Sequence, residues 1–504
     1  MASRIVGMGV PQIELDGHGL DSETVALLAD GGVRVEVPLP VYDKVERSWR
    51  RAADLVATGR VYGRSTGVGA NRSLAVDPAD FDLHGLRLLR SHAGGIGELL
   101  PARQVRAMMI VRLNQLLVGN AGLRPEVVRG LTAALKAGVH PPVNEYGAVG
   151  TGDLAALSQL GLALAGEHPW HGGPTPPPPI SLETGDALAL ISSNALTLGQ
   201  AALARHSLDR LLRAAHVVAA LSLLAVDGSL EAFAEPVHAA RPHPGNVRAA
   251  AEVRRLVGAP DRPAPPTGRI QDPYAFRCFP QIHGPALEAS DALERVLAVE
   301  LNAGAENPLI SADGPDGGPA SYHHGGFFSA HVALALDQVS LALLPTARLS
   351  AARLAALNEP GITGLRPFLA GVASAGSGVL ILEYSANAAL AELRNAAAPA
   401  SSGHAVLSRS VEEAAGFGSQ AARQVLRAVE TFRLVLGCEL VAAVRALRQL
   451  APNMVKKSAW EDPSLPVGRA YALVDDILEL STEDRPLTAD VAAAAGLLDA
   501  LADL

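Results

Sequence analysis

Four short stretches of this 504-residue chain set reactive side chains among glycines. VYGRSTGVGANRS carries Tyr62 beside Gly63, Gly67 and Gly69, and RSHAGGIGELLP carries His92 ahead of Gly94, Gly95 and Gly97. RIQDPYAFRCFPQIHG gathers Gln271, Tyr274, Arg277 and His283, and ELNAGAENPLI holds Glu300, Asn302 and Asn307. Packed helices have no use for such insertions, whereas a cavity that brings polar groups up to a small molecule does. Tyrosine and histidine can move protons. Arginine offers a planar two-point grip on a carboxylate. None of the stretches has the glycine spacing of a phosphate-binding loop. HHGGFFSAH brings His323, His324 and His331 together, but no carboxylate or cysteine stands at ligand spacing, so no metal is expected.

A fifth stretch, GAVGTGDLAALSQLGLALAGE, runs from Gly147 to Glu167. Small residues open it and a long apolar run closes it. Thr151 supplies the one hydroxyl in the Gly-Thr-Gly-Asp mouth. Read locally, Thr151 is an N-cap that satisfies an orphan amide of the helix behind it.

The elements that must carry these groups read as mainly helical. Hydrophobic residues make up 49% and aromatics 4%, so the core is built from Ala, Leu and Val. VRVEVPL (Val33 to Leu39) reads as a strand, and YDKVERSWRRAADLVATG as a helix stopped by Gly59. RAMMIVRLNQLLVGNAG reads as a helix ended near Gly119 and Gly122. Beyond Gly147, long segments from Leu196, His331, Val379 and Val411 keep apolar residues at three-to-four spacing, which predicts helices packed as a bundle. HPWHGGPTPPPP, GAPDRPAPPTG and ADGPDGGPAS read as loops. The expected architecture is all-α in the main. A smaller mixed active-site region, 1–200, precedes a long helical bundle, 201–504.

The net charge of −9 and the lack of any Lys/Arg block argue against a nucleic-acid partner. Cys278 and Cys438 form no CxxC pair, which excludes a disulfide framework and fits a reducing cytoplasm. The first residues lack the apolar centre of a secretory leader. LLRAAHVVAALSLLAVDG, close behind Arg205, Asp209, Arg210 and Arg213, reads as a buried core helix too short to span a bilayer.

Taken in order, these motifs resemble the aromatic amino acid ammonia-lyase and aminomutase family, and its histidine-specific members most closely. YGRSTGVG resembles Tyr-Gly-x-Asn-Thr-Gly-Phe-Gly, and SHAGGIGE resembles Ser-His-Ala-Ala-Gly-x-Gly-Glu. QDPYAFRCFPQIHG is similar to Gln-Asp-Pro-Tyr-Ser-x-Arg-Cys-x-Pro-Gln-x-His-Gly, and ENPLI to Asp-Asn-Pro-Leu. The resemblance runs from about Tyr62 past Glu413. It implies a histidine ammonia-lyase-like fold, a homotetramer, an amino acid or carboxylate substrate and no external cofactor. It also implies an electrophile, the methylidene-imidazolone made when an Ala-Ser-Gly triad cyclises and loses two waters. By this likeness Tyr62 is the general base and Tyr274 joins the catalytic set. Arg277 clamps the substrate carboxylate, with Gln271 and Asn307 orienting. His92 and Glu412 face the imidazole. Each has a plainer reading beside it: buried core tyrosine, surface ion pair, satisfied core histidine, helix-start carboxylate.

The chain departs from the family at the electrophile. Where the family reads Gly-Ser-Val-Gly-Ala-Ser-Gly-Asp-Leu, this chain reads GAVGTGDL, one residue shorter. The triad becomes Gly150, Thr151 and Gly152, and a threonine-derived ring would carry one extra methyl. Arg64 and Ser65 stand where the family has asparagine, and Ser192 takes the place of a pocket asparagine. Gly326 and Phe328 replace an asparagine and a histidine; Ser410 and Val411 replace Asn-Gln ahead of Glu412. Three readings follow. The chain is an ammonia-lyase with a threonine-derived ring or none, a relative performing another elimination or cyclisation on a carboxylate, or a silent ligand-binding homologue.

Overall fold

The computed structural model describes residues 11–59, 61–183, 185–265, 268–372, 375–453 and 458–504. The opening ten residues, on which the expectation about a secretory leader falls, lie outside that set. The chain is mainly helical, as expected. It divides into two compact units, and neither is continuous in sequence. The first joins Met1–His206 to Leu293–Leu336 and Pro399–Arg423; the second joins Ser207–Ala292, Asp337–Ala398 and Gln424–Leu504. The leading segment thus ends close to the expected cut at residue 200. The two later segments depart from that scheme, because their loops carry partners for the first unit. Glu306 sits buried against Arg112, and Phe417 donates its amide to the Val149 carbonyl at 2.8 Å.

The first unit is mixed. Among the described residues four two-stranded sheets lie in it, including Gln12–Glu14 parallel to Arg34–Glu36 and Ile96–Leu99 antiparallel to Asn144–Tyr146. Its central helix, Ala102–Leu117, is buried on every face from Ala107 to Leu117. A helix without a solvent stripe belongs in the middle of a core. There its backbone lies so close to Gly199 that a Cβ on residue 199 would stand 2.8 Å from the Met108 amide nitrogen. The helix Leu39–Thr58 stops at Gly59, and Gly119 and Gly122 follow Leu117 with left-handed backbone, as the spacing predicts.

The second unit takes residues from the long helices Ala195–Ala225, Phe279–Glu300, Ala330–Leu357 and Gly418–Leu450. One buried carboxylate ties three of them. Glu439 accepts from Ser222 Oγ at 2.7 Å, Ser350 Oγ at 2.6 Å, and Arg353 Nε and Nη2 at 2.6 and 2.8 Å. The helix expected to start at Val411 begins at Gly418 instead. Residues 408–417 form a turn and loop in which Leu407 bridges Glu412.

By length and composition two helical stretches, Asp186–Ala225 and Ala330–Leu357, could cross a membrane. The first contains most of the run expected as a buried core helix and is longer than that run. Its apolar window is wholly buried within the protein.

Removing the carboxylate of Glu439 strands Arg353 in the interior. Glu439→Ala should lower stability by about 3–5 kcal/mol in urea unfolding, and pairing Glu439→Leu with Arg353→Met should recover most of that loss. An unfolding midpoint unchanged in the single variant would contradict this account of the bundle.

Candidate active site

A cavity of about 300 Å³ opens in the first unit. Tyr62, His92, Thr151, Gly152, Asn307 and Glu412, singled out from different motifs, all line it. Leu88, Leu154, Leu188 and Ile191 supply its apolar wall. Gly150 precedes the lining residues Thr151 and Gly152 in the chain and is not itself among them. Gln271, Tyr274 and Arg277 belong to the second unit and are not among its lining residues. Gln271 is exposed and Tyr274 is 65% exposed; the Arg277 guanidinium lies 4.7 Å over the Tyr274 ring.

The Gly150–Gly152 loop is backbone held by its neighbours. Gly150 has φ +91° and Gly152 φ +118°. A Cβ on residue 150 would meet the amide nitrogens of Phe417 at 2.8 Å and Gly418 at 3.0 Å, so alanine has no room there. Ser329 Oγ donates to the Gly150 carbonyl at 3.3 Å, and the Gly152 amide donates to Asn194 Oδ1 at 3.0 Å. Thr151 does not cap the following helix. Its hydroxyl donates across the cavity to Glu412 Oε2 at 3.1 Å. The helix Leu154–Leu164 begins at Asp153 with no side-chain cap. The Asp153 carboxylate is committed elsewhere, accepting from Thr197 N at 2.7 Å and Thr197 Oγ1 at 3.0 Å. Full burial pushes that carboxyl up to about 6 despite those hydrogen bonds.

Glu412 is not at a helix start either. It sits on the short ladder opposite Leu407. The Tyr62 hydroxyl accepts from the Gly69 amide at 2.8 Å, and His323 packs edge-on to the Tyr62 ring with centroids 6.2 Å apart. His92, at the end of helix Phe81–His92, holds its Nδ1 2.9 Å from both the Leu88 carbonyl and the Ser91 hydroxyl. Asn307 Oδ1 accepts from the His324 amide at 3.0 Å.

Ser192 lines the cavity. Ser192 Oγ accepts the Asn307 amide at 3.0 Å, while the asparagine that reaches the loop is Asn194. Asn194, Asp153, Ser329 and Ser408 are site residues that the sequence reading missed. Arg64 is structural. Buried, and lowered to about 10 by that burial, it donates to the carbonyls of Ala121 at 3.0 Å and Gly122 at 2.7 Å. His324 Nε2 donates to the Glu306 carbonyl at 2.8 Å, and its Nδ1 accepts from Gly326. No group of three His, Cys, Asp or Glu disposed to hold a metal occurs among the described residues.

Folding should raise the proton affinity of Asp153, with a calculable sign. The folded state keeps the proton up to about pH 6, whereas the unfolded chain releases it near 3.8. Stability therefore falls as pH rises through that window, by up to about 3 kcal/mol, and the penalty is absent below it. Asp153→Asn should remove this fall, read as the difference between wild-type and variant unfolding curves from pH 4 to 7. Parallel curves would contradict the buried protonated carboxyl.

A family model described as aromatic amino acid lyase matches residues 20–462. The histidine ammonia-lyase of Geobacillus thermodenitrificans (strain NG80-2) is 34% identical over 461 residues, 88% of this chain and 90% of the relative. Among solved structures, the histidine ammonia-lyase from Trypanosoma cruzi is similar with TM-score 0.86 and 26% identity, over 97% of this chain and 93% of that one. The ergothioneine-degrading enzyme ergothionase from Treponema denticola is similar with TM-score 0.86 and 25% identity, over 97% and 99%.

Proposed function

This chain belongs to the aromatic amino acid lyase family, and we propose that it eliminates ammonia from histidine or a related amino acid to leave an α,β-unsaturated acid. The observation that carries the reading is the convergence of Tyr62, His92, Glu412 and, from the loop, Thr151 and Gly152 on one cavity.

The chemistry requires breaking a weakly acidic C–H bond next to a carbon that bears the departing nitrogen. Tyr62 takes the β-proton, the C–H electron pair becomes the new double bond, and ammonia leaves the α-carbon. His92 and Glu412 hold the imidazole, with the Glu412 carboxylate facing a ring N–H. The apolar wall excludes water from the reacting carbons. Residues Gln271, Tyr274 and Arg277 of another copy complete the site, Arg277 gripping the substrate carboxylate in a homotetramer. In support, Arg277 Nε is buried without a partner among the described residues, and Tyr274 is exposed. The two buried free cysteines suit a cytoplasmic enzyme.

The loop fits a threonine-derived ring. Closure would join the Gly152 nitrogen to the Gly150 carbonyl carbon. Ser329 Oγ polarises that carbonyl, and Asn194 Oδ1 holds the Gly152 N–H. Once formed, the ring would supply an electrophilic carbon beside the substrate amine. Loss of the Thr151 hydroxyl would also release Glu412 from its present hydrogen bond. A second reading keeps Thr151 intact and turns the same tyrosine and arginine to another elimination or cyclisation. It is favoured by the absence of the serine from the triad.

The test is ammonia release from histidine and from aromatic amino acids, with the unsaturated acid followed by absorbance. Histidine should be the better substrate. Tyr62→Phe should lower kcat by about 10²–10⁴ with the fold intact. Full activity in that variant would remove the proposed base.

A further inference from the structure

Ser408, Arg409 and Ser410 are consecutive non-glycine residues with left-handed backbone, φ 51°, 55° and 65°. Side chains resist that conformation by about 1–2 kcal/mol each, so such a run persists only where its surroundings require it. The turn is closed by the Leu407 amide on the Glu412 carbonyl at 2.9 Å and the Val411 amide on the Ser408 carbonyl at 3.3 Å. It places two side chains on the cavity wall, Glu412 and Ser408.

Among the described hydrogen bonds the Ser408 side chain makes none within its own turn. Its Oγ accepts the Ala70 amide at 3.2 Å. The preceding amide in the chain, Gly69 N–H, holds the Tyr62 hydroxyl at 2.8 Å. The two segments meet at contact distance. Gly69 has φ +55°, and a Cβ there would stand 2.8 Å from Ser408 Oγ.

We propose that Ser408 is a positioning residue for Tyr62: its Oγ fixes the Gly69–Ala70 peptide, and through the Gly69 backbone this holds the adjoining Val68–Gly69 peptide, whose N–H aims the phenol oxygen at the substrate. The proposal rests on Tyr62 as the base. Without the serine oxygen, the Ala70 amide loses this acceptor and the Gly69 amide is free to turn. The phenol oxygen then drifts from the proton it must take, and proton transfer is steep in such displacements. The strained turn delivers Ser408 and Glu412 together to the cavity wall.

Two variants separate positioning from folding. Ser408→Gly suits φ 51° better than serine and removes only the acceptor. It should leave the thermal midpoint unchanged or higher and KM close to wild type, while kcat falls about tenfold. Ser408→Thr keeps the hydroxyl in a more strained residue, so the midpoint should fall while kcat stays near wild type. In a Tyr62→Phe background, Ser408→Gly should cause no further loss of the residual rate. The proposal is overturned if Ser408→Gly keeps wild-type kcat, or if it costs the same factor with and without the tyrosine hydroxyl. Full activity in Tyr62→Phe alone would bring down the base assignment, and this proposal with it.

Discussion

Residue 150 has no room for a Cβ: the backbone amides of Phe417 and Gly418 stand 2.8 and 3.0 Å from where one would lie. The shortened loop is drawn against the start of the helix Gly418–Leu450. Val149 O accepts from Phe417 N, and Ala148 O accepts from Ser419 Oγ. Only glycine can occupy such a place, at φ +91°. The rest of the site follows from that close approach. It fixes where Thr151 emerges, and so which carboxylate its hydroxyl can reach. It also brings the segment that carries Ser408 and Glu412 to the same cavity as Tyr62.

Charge has to be managed inside a protein whose core is largely Ala, Leu and Val. Glu306 is buried against Arg112, with burial pushing the carboxyl up and the guanidinium down. Glu439 is enclosed by two serine hydroxyls and Arg353. Asp153 accepts from hydroxyl and amide donors and feels the Arg423 charge, yet burial outweighs them and drives its carboxyl up to about 6. In each case the donors come from segments far apart in sequence, so the polar group fixes how they meet. A carboxylate stripped of its donors in this interior is more costly than one never placed there.

Much of the site could be read from sequence because its residues travel with glycines in distinctive order. Tyr62, His92, Thr151, Asn307 and Glu412 come from stretches where small residues make a local signature. Asn194 was hidden because its link to the loop, Oδ1 accepting from the Gly152 amide, joins residues 42 apart. Ser329 and Ser408 are single serines whose partners, Gly150 and Ala70, lie 179 and 338 residues away, and no spacing rule reports such pairs. The helix assigned from Val411 follows apolar periodicity. Left-handed residues at 408–410 and the Leu407–Glu412 bridge override it, and the helix starts only at Gly418. The gathering of 293–336 and 399–423 into the first unit rests on tertiary partners such as Arg112 with Glu306, which a linear reading does not contain.

The central claim is that Gly150, Thr151 and Gly152 form the electrophile of this enzyme despite the missing serine. Intact mass of the purified protein, with a peptide map across Gly147 to Asp153, tests it without any assay of turnover. The account predicts a deficit of two waters confined to that peptide. A peptide of full mass, with Thr151 unmodified in active enzyme, would contradict it and assign the elimination to Tyr62 and its partners without a ring.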